Sequence, residues 1–280
     1  MALQKRKHLM PELPEVETSR RGIKPHIINK KVTNVIIRQK SLRWPIPAIM
    51  KKQLVGQIIQ NVKRRGKYIL LYTSTGTVIL HLGMSGSLRI LKKSVTPEKH
   101  DHFDIEFSNN KLLRLRDPRR FGAVLWTKSD PLLHKLLINL GPEPLSDAFT
   151  AEYLYESSRT RKVAIKTYLM NSHVVVGVGN IYANESLFAA GINPKRTANK
   201  ISLKSYQKLV PEIKAILEKS IEQGGTTLKD FINEDGKPGY FQQTLCVYGR
   251  ASEPCINCGH TIKQITQAQR STFYCTTCQK

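Results

Sequence analysis

Four cysteines carry the most specific chemistry in the chain. They fall as Cys255-x2-Cys258, a gap of sixteen residues, then Cys275-x2-Cys278. That is the spacing of two thiolate knuckles closing a tetrahedral zinc site on a β-hairpin. Disulfides or a redox pair are the other uses of such pairs, but disulfides would leave Cys246 over. Nor do the first residues look like an export signal, since Lys5, Arg6 and Lys7 are followed only by Leu9 and Met10 before Pro11. We expect one structural zinc on Cys255, Cys258, Cys275 and Cys278, no organic cofactor, and Cys246 packed as a small buried hydrophobe. A closed four-thiolate shell leaves no position for substrate; it would stiffen the hairpin tip, residues 264–272, which carries Arg270. His100-Asp101-His102 offers too few ligands for a second metal. Gly177-x-Gly179 follows an apolar run as a dinucleotide fingerprint would, but Tyr182 stands where the third glycine belongs.

The charge pattern indicates a partner. The chain of 280 residues holds 45 Lys and Arg against 21 Asp and Glu, a formal charge of +24. Between Thr18 and Pro97 there is no acidic residue, while 17 are Lys or Arg. Such a stretch repels itself unless a polyanion lies against it, and phosphates reward clustered cations through counterion release. Nucleic acid is therefore favoured over an anionic membrane, for which a basic amphipathic helix with Trp or Phe on its apolar face would be needed. Hydrophobic residues at 40% exclude a disordered basic tail. No apolar run nears the roughly 18 residues of a membrane span, which suits a cytoplasmic protein associated with the nucleoid through DNA.

The elements that must position these residues divide the chain in two. A helix begins at Pro14, with Glu15 and Glu17 near its positive end, and runs to about residue 27. Eight β-like segments follow, at 32–38, 57–62, 68–72, 78–82, 88–91, 103–107, 112–115 and 123–126. Phe103, Ile105 and Phe107 alternate with Asp104 and Glu106 as in a half-buried strand, and the set suggests a β-sandwich. Helices are expected at 132–140, 151–157, 163–170, 181–189 and 202–223. The last places Tyr206, Leu209, Ile213, Ile216, Leu217 and Ile221 on one face, with Pro211 expected to kink or restart it.

Four further landmarks stand in order: Met10-Pro11-Glu12-Leu13-Pro14-Glu15-Val16-Glu17, His81-Leu82-Gly83-Met84-Ser85-Gly86, Asp117-Pro118-Arg119-Arg120-Phe121-Gly122, and Gly177-Val178-Gly179-Asn180-Ile181-Tyr182-Ala183-Asn184-Glu185. Together with the cysteine knuckles they closely resemble the bacterial formamidopyrimidine-DNA glycosylases, from Met10 to the C-terminus. The resemblance implies an α+β fold: an N-terminal β-sandwich with a flanking helix, then a helical helix–two-turn–helix domain and a β-hairpin zinc finger. The boundaries we expect are 1–10 as an extension, 11–127 the catalytic sandwich, 128–145 a hinge, 146–245 the helical DNA-binding domain and 246–280 the zinc finger. It implies a monomer acting on damaged double-stranded DNA, excising oxidised purines and then cleaving the strand.

The resemblance also assigns residues. Pro11 as a chain terminus is a secondary amine, near the α-amino pKa range of about 7.7–8.0, able to attack the sugar C1′ and form an iminium. Glu12 beside it can move protons to and from the ring oxygen. Lys67, in Lys63-Arg64-Arg65-Gly66-Lys67, takes a proton-transfer role near the sugar, and Arg270 clamps the phosphate beside the lesion. Met84, Arg119 and Phe121 fill the gap left by an extruded nucleotide, with Gly83, Gly86 and Gly122 suggesting exposed loop tips. His100, Arg161, Lys166 and Asn180 contact the DNA backbone, Asn180 at a helix N-terminus. Two Gly-rich stretches, Gly224-Gly225-Thr226-Thr227 and Gly236-Lys237-Pro238-Gly239-Tyr240, suit a lid over the extruded base.

In one respect the sequence departs from the pattern. Ten residues precede Pro11, and an acylated proline nitrogen is no nucleophile, so we expect Met10 to be the true start and to be removed. If Pro11 stays blocked, the alternative is a zinc-dependent DNA-binding protein without chemistry. A preference for oxidised pyrimidines, as in the sister endonuclease VIII family, is the other, although Pro11-Glu12-Leu13 favours the formamidopyrimidine branch.

Overall fold

Helix α1 spans Leu13–Ile27, capped by Glu12 in extended conformation, with Pro14 in its first turn and Glu15 at the positive end of its dipole. Its stripe of Leu13, Val16, Ile23 and Ile27 is buried and packs on strands of both sheets described below. The structure, a computed structural model, describes residues 11–224, 228–232, 238–239 and 245–280. The expected extension, and Gly225, Thr226, Thr227, Gly236, Lys237 and Tyr240 of the expected lid, lie outside the described residues.

Two four-stranded antiparallel sheets form the sandwich. One has the order β1-β6-β7-β5, from β1 (Val32–Ile37), β6 (Asp101–Phe107), β7 (Lys111–Arg116) and β5 (Ser87–Lys92). The other has the order β2-β3-β4-β8, from β2 (Asn61–Arg65), β3 (Tyr68–Tyr72), β4 (Thr77–His81) and β8 (Ala123–Thr127). Val35, Ile105, Leu113 and Leu115 of the first share a core with Val62, Ile69, Leu71, Val78, Leu80 and Val124 of the second.

Each of the eight expected segments has its strand, though the second lies later than 57–62. Residues 57–59 instead bond to the start of β1 and the turn before it: Val32 N–H donates to Gln57 O at 2.7 Å and Asn29 N–H to Ile59 O at 2.8 Å. Helix α2 (Ile49–Leu54) was not legible, because Ala48 offers no side-chain cap and only Met50 and Leu54 are buried. The alternation in β6 also means something other than a wet face. Asp104 is fully buried, held by Arg114 Nε at 3.0 Å and Nη2 at 2.9 Å, and Arg38 pairs with it as well. Burial raises the Asp104 carboxyl, but these hydrogen bonds and charges outweigh it and hold it below its ordinary value.

The remaining helices are α3 (Ala151–Ser158), α4 (Ile165–Leu169), α5 (Asn180–Ala189) and α6 (Leu203–Glu222). Thr150 and Ser202 cap α3 and α6 through their hydroxyls. α6 runs unbroken through Pro211, stabilised by the buried Tyr206, Leu209, Val210, Ile213, Leu217 and Ile221. The helix expected at 132–140 is a single 3-10 turn, Pro131–Leu133. Leu132, Leu133 and Ile138 are exposed by 46%, 64% and 53% and only Leu137 of the expected helix is buried, so little apolar burial supports a longer helix there. Short strands β9 (Leu228–Ile232) and β10 (Pro238–Gly239) pair with each other, and β11 (Lys263–Gln267) pairs with β12 (Arg270–Tyr274). The chain divides into two compact units: the sandwich with β9 and β10, and the helices with the β11–β12 hairpin. None of the described helices is long and apolar enough to cross a membrane.

Candidate active site and nucleic-acid interface

Pro11 and Glu12 stand at the N-terminal end of α1. Pro11 is half-buried and Glu12 is 1% exposed. The Glu12 N–H donates to Glu15 Oε2 at 2.9 Å, so the helix start is fixed from both sides of the cap. One turn on, Glu17 accepts from Arg20 and Arg21 of its own helix and from Arg64 of β2 at 3.1 Å. Burial alone would raise its carboxyl, but the hydrogen bonds from Arg20 and Arg21 and the charges of Arg20 and Arg64 hold it at about 2. Arg64 Nη1 also donates to Gly66 O at 2.9 Å. Gly66, with φ of 57°, and Lys67 form the two-residue turn joining β2 to β3. An ion pair and one hydrogen bond thus tie α1 to the turn that carries Lys67. The sequence left Arg64 as one of several cations available to phosphate; its partners make it a strut.

His81, at the end of β4, is a residue for which sequence reasoning had no role. Its ring lies 4.7 Å from that of Tyr68, and its Nδ1 accepts the Gly83 N–H at 3.0 Å. Burial first, then the charges of Lys67 and Arg43, push its pKa down to about 4, so at neutral pH it is an uncharged acceptor. Met84 follows on a tight turn in which Gly86 N–H donates to Leu82 O at 2.8 Å. Arg119 and Phe121 are exposed on the adjoining loop, with Arg119 Cζ 4.8 Å from the centre of the Phe121 ring. Gly83, Gly86 and Gly122 are buried, not the exposed tips expected. A Cβ on Gly83 would lie 2.4 Å from the Phe121 carbonyl carbon, so glycine there permits two main chains to touch. His100 is half-buried in the turn before β6.

In the helical unit, the Sγ atoms of Cys255, Cys258, Cys275 and Cys278 all lie within 4.8 Å of one another. Cys255 and Cys278 are 3.8 Å apart and Cys258 and Cys275 3.4 Å apart. A tetrahedron with Zn–S of about 2.3 Å requires S···S near 3.8 Å, so the four thiolates fit one structural zinc. The metal would cross-link two knuckles and offer no open coordination position. Beneath it sits a small core of Phe188, Val247, Ile262 and Phe273. Cys246 is half-buried against that core, and burial and the Glu185 carboxylate push its thiol up, leaving it inert.

Polar side chains bind this hairpin to the helices. Glu185 accepts the N–H groups of Cys246, Val247 and Tyr248 at 2.8, 3.0 and 2.8 Å, and Asn184 Oδ1 accepts that of Phe273 at 2.8 Å. Asn180, the first residue of α5, donates through Nδ2 to Ser271 O at 3.1 Å. Lys166 is 1% exposed and donates to Ser271 O at 2.8 Å and Thr272 Oγ1 at 2.7 Å. Both side chains expected at the DNA backbone are therefore turned toward the strand of Arg270. Arg270 itself is exposed at the hairpin tip, next to Ala268 and Gln269, whose φ values of 46° and 60° are left-handed without glycine to ease them. A cavity of about 410 Å³ is lined by Arg161, Val163, Lys166, Met170, Gln267 and Arg270, among others. Neighbouring Arg159 is occupied internally, donating to Asn199 O and Ile201 O, whereas Arg161 lines the cavity with Lys166 and Arg270.

Comparison with known proteins adds the following. Residues 10–124 match the model of the formamidopyrimidine-DNA glycosylase N-terminal domain, residues 140–232 its H2TH domain, and residues 252–280 the zinc finger found in FPG and IleRS. Formamidopyrimidine-DNA glycosylases of Shewanella halifaxensis and Idiomarina loihiensis are 57% and 58% identical over 271 residues, 97% of this chain and 100% of each relative. Among solved structures, the MutM (Fpg) protein of Thermus thermophilus superposes with a TM-score of 0.84 at 34% identity, covering 96% of this chain and 98% of that one. Lactococcus lactis Fpg in complex with Fapy-dG-containing DNA gives 0.87 at 34% identity, covering 96% and 100%. The same enzyme with abasic-site DNA gives 0.86 at the same identity and coverage.

Proposed function

Because the chain belongs to the formamidopyrimidine-DNA glycosylase family, we propose that it excises oxidised purines, 8-oxoguanine and formamidopyrimidines, from duplex DNA and then cuts the strand at the emptied sugar. The observation that carries this reading is Pro11 followed by a glutamate buried at the cap of α1 and linked through Glu17, Arg64 and Gly66 to the turn of Lys67. The Lactococcus complexes with Fapy-dG and abasic-site DNA support the substrate class.

The Pro11 nitrogen attacks C1′, the bond from C1′ to the base breaks, and the base leaves with a proton. The C1′–O4′ bond then opens, Glu12 delivering the proton to O4′, and the nitrogen and C1′ are left as an iminium. A secondary amine gives a permanently charged iminium, which acidifies the C2′ proton. Loss of that proton expels the 3′ phosphate, and a second elimination expels the 5′ phosphate. Water then hydrolyses the iminium and frees Pro11. Lys67 moves protons near the sugar, and Arg270 holds the adjacent phosphate. His100, Arg161 and Asn180, with the positive end of α5, meet further phosphates. The buried ammonium of Lys166 contributes by holding the Arg270 strand. Met84, Arg119 and Phe121 fill the gap, Arg119 hydrogen-bonding the cytosine left without a partner. The work is done in the cytoplasm, on the chromosome.

This chemistry requires an unacylated Pro11, so we propose that translation starts at Met10 and that the methionine is removed. The family model begins at residue 10, and relatives matched along their whole length take up 271 of the 280 residues. Mass spectrometry of the protein from its native host should find Pro11 first. Excision should be far faster on duplexes with 8-oxoguanine opposite cytosine than on duplexes with thymine glycol; the reverse order would give the enzyme the pyrimidine preference instead.

A further inference from the structure

One buried side chain that the chemistry above does not use ties the loop of Met84 to the loop of Arg119 and Phe121. Asp117 is fully buried. Its Oδ1 accepts the Ser85 hydroxyl at 2.7 Å and its Oδ2 accepts the Gly122 N–H at 2.7 Å. Ser85 Oγ in turn accepts the Arg119 N–H at 3.1 Å. The main chain of Asp117 is equally engaged: its N–H donates to His100 O at 3.0 Å, its carbonyl accepts the Arg120 N–H at 3.1 Å, and His102 Nε2 lies 3.0 Å from that carbonyl. The donors to the carboxylate are a hydroxyl and an amide, both neutral, so burying its charge costs stability. What it provides is a fixed arrangement of two loops.

Steric contact reinforces the tie. A Cβ on Gly83 would meet Phe121 C at 2.4 Å and Gly122 N at 2.5 Å, and one on Gly122 would meet His81 O at 2.7 Å and Asp117 Oδ2 at 3.0 Å. Arg120 adopts a left-handed φ of 56° between Arg119 and Phe121, which the surrounding hydrogen bonds must enforce. The two main chains can neither separate without breaking the carboxylate's bonds nor approach more closely.

We propose that Asp117, acting through Ser85, is a positioning residue that fixes Met84, Arg119 and Phe121 as one rigid wedge and so sets where Arg119 meets the base opposite the lesion. The proposal rests on the reading of these three side chains as the gap-filling group. Its consequence is specific: loosening the tie degrades discrimination of the opposite base more than it degrades strand cleavage at a sugar already emptied.

The test is single-turnover excision of 8-oxoguanine opposite cytosine and opposite adenine, with cleavage of preformed abasic sites and thermal unfolding measured alongside. Ser85→Ala should lower the cytosine-over-adenine ratio about tenfold, the equivalent of one well-placed hydrogen bond, with abasic cleavage and Tm moving little. Ser85→Thr, which keeps the hydroxyl, should restore the ratio. Asp117→Leu, which removes both acceptors at similar volume, should lower it further. On an Arg119→Ala background, Ser85→Ala should change the ratio no more, because it acts through Arg119. An unchanged ratio in Ser85→Ala, or a fall in all activities in step with Tm, overturns the positioning role. If Arg119→Ala alone leaves the ratio intact, the reading of Arg119 fails and the wedge fails with it, a result separable from the other two.

Discussion

Arg119, on a loop, and Arg270, at the tip of a hairpin, are both exposed arginines, and the protein anchors them by different means. Arg119 follows a strand of a sandwich with a large apolar core, so a single buried carboxylate, Asp117, is enough to hold its loop. Arg270 sits on a hairpin whose own core is a handful of side chains. There the anchoring falls to four thiolates and to the polar side chains Lys166, Asn180, Asn184 and Glu185, all turned inward. An exposed guanidinium is positioned only as well as the main chain beneath it is held. Where burial of apolar surface is scarce, metal coordination takes its place.

Zinc removal breaks this comparison most severely. Structural zinc contributes about 10–16 kcal/mol in isolated fingers, so chelation or Cys258→Ala should abolish hydrogen-exchange protection in β11 and β12 and strand cleavage with it. Protection in β3, β4 and β7 should persist; loss in both regions together would show that the hairpin and sandwich do not stand on separate supports. The sandwich has its own weak point in Arg114, which is buried and forked onto Asp104. Arg114→Ala leaves that carboxylate to Arg38 alone and should cost about 3 kcal/mol, read as a lowered Tm with zinc content unchanged. Glu185→Gln presents an amide donor to one of three main-chain N–H groups and should cost about 2 kcal/mol, read as faster exchange at residues 246–248 only.

The sandwich unit can also be probed by titration. His81 is depressed to about 4 against an unfolded value near 6.5. The unfolded chain therefore takes up this proton first, and stability is lost as pH falls from about 6.5 through 4. Glu17, depressed from 4.5 to about 2, adds a second loss as pH falls from about 4.5 toward 2. NMR should find the His81 ring neutral at pH 5.5; a midpoint near 6.5 would refute its burial.

Much of this was legible in the sequence because it rests on local pattern. The alternation of Phe103, Ile105 and Phe107, the Cys-x2-Cys pairs and the proline beside two acids each declare a strand, a metal site and a helix start within a few residues. Long-range partners were not legible. Nothing near Asp104 in sequence announces Arg114 and Arg38, so a fully buried carboxylate looked like a wet face. Nor does anything near Lys166 and Asn180 in sequence announce their contacts with Ser271 and Thr272, about a hundred residues away. The 132–140 segment has helical spacing but buries only Leu137, and propensity with so little burial left a single turn.

The central claim is that the Pro11 nitrogen is the attacking atom. Borohydride reduction of the enzyme on a duplex with one 8-oxoguanine opposite cytosine, followed by proteolysis and mass spectrometry, tests it most directly. The sugar remnant should be found on a peptide beginning at Pro11, and Pro11→Gly or an uncleaved leader should weaken or abolish the adduct. An adduct on a lysine, or an undiminished one in protein that retains Met1, would contradict it.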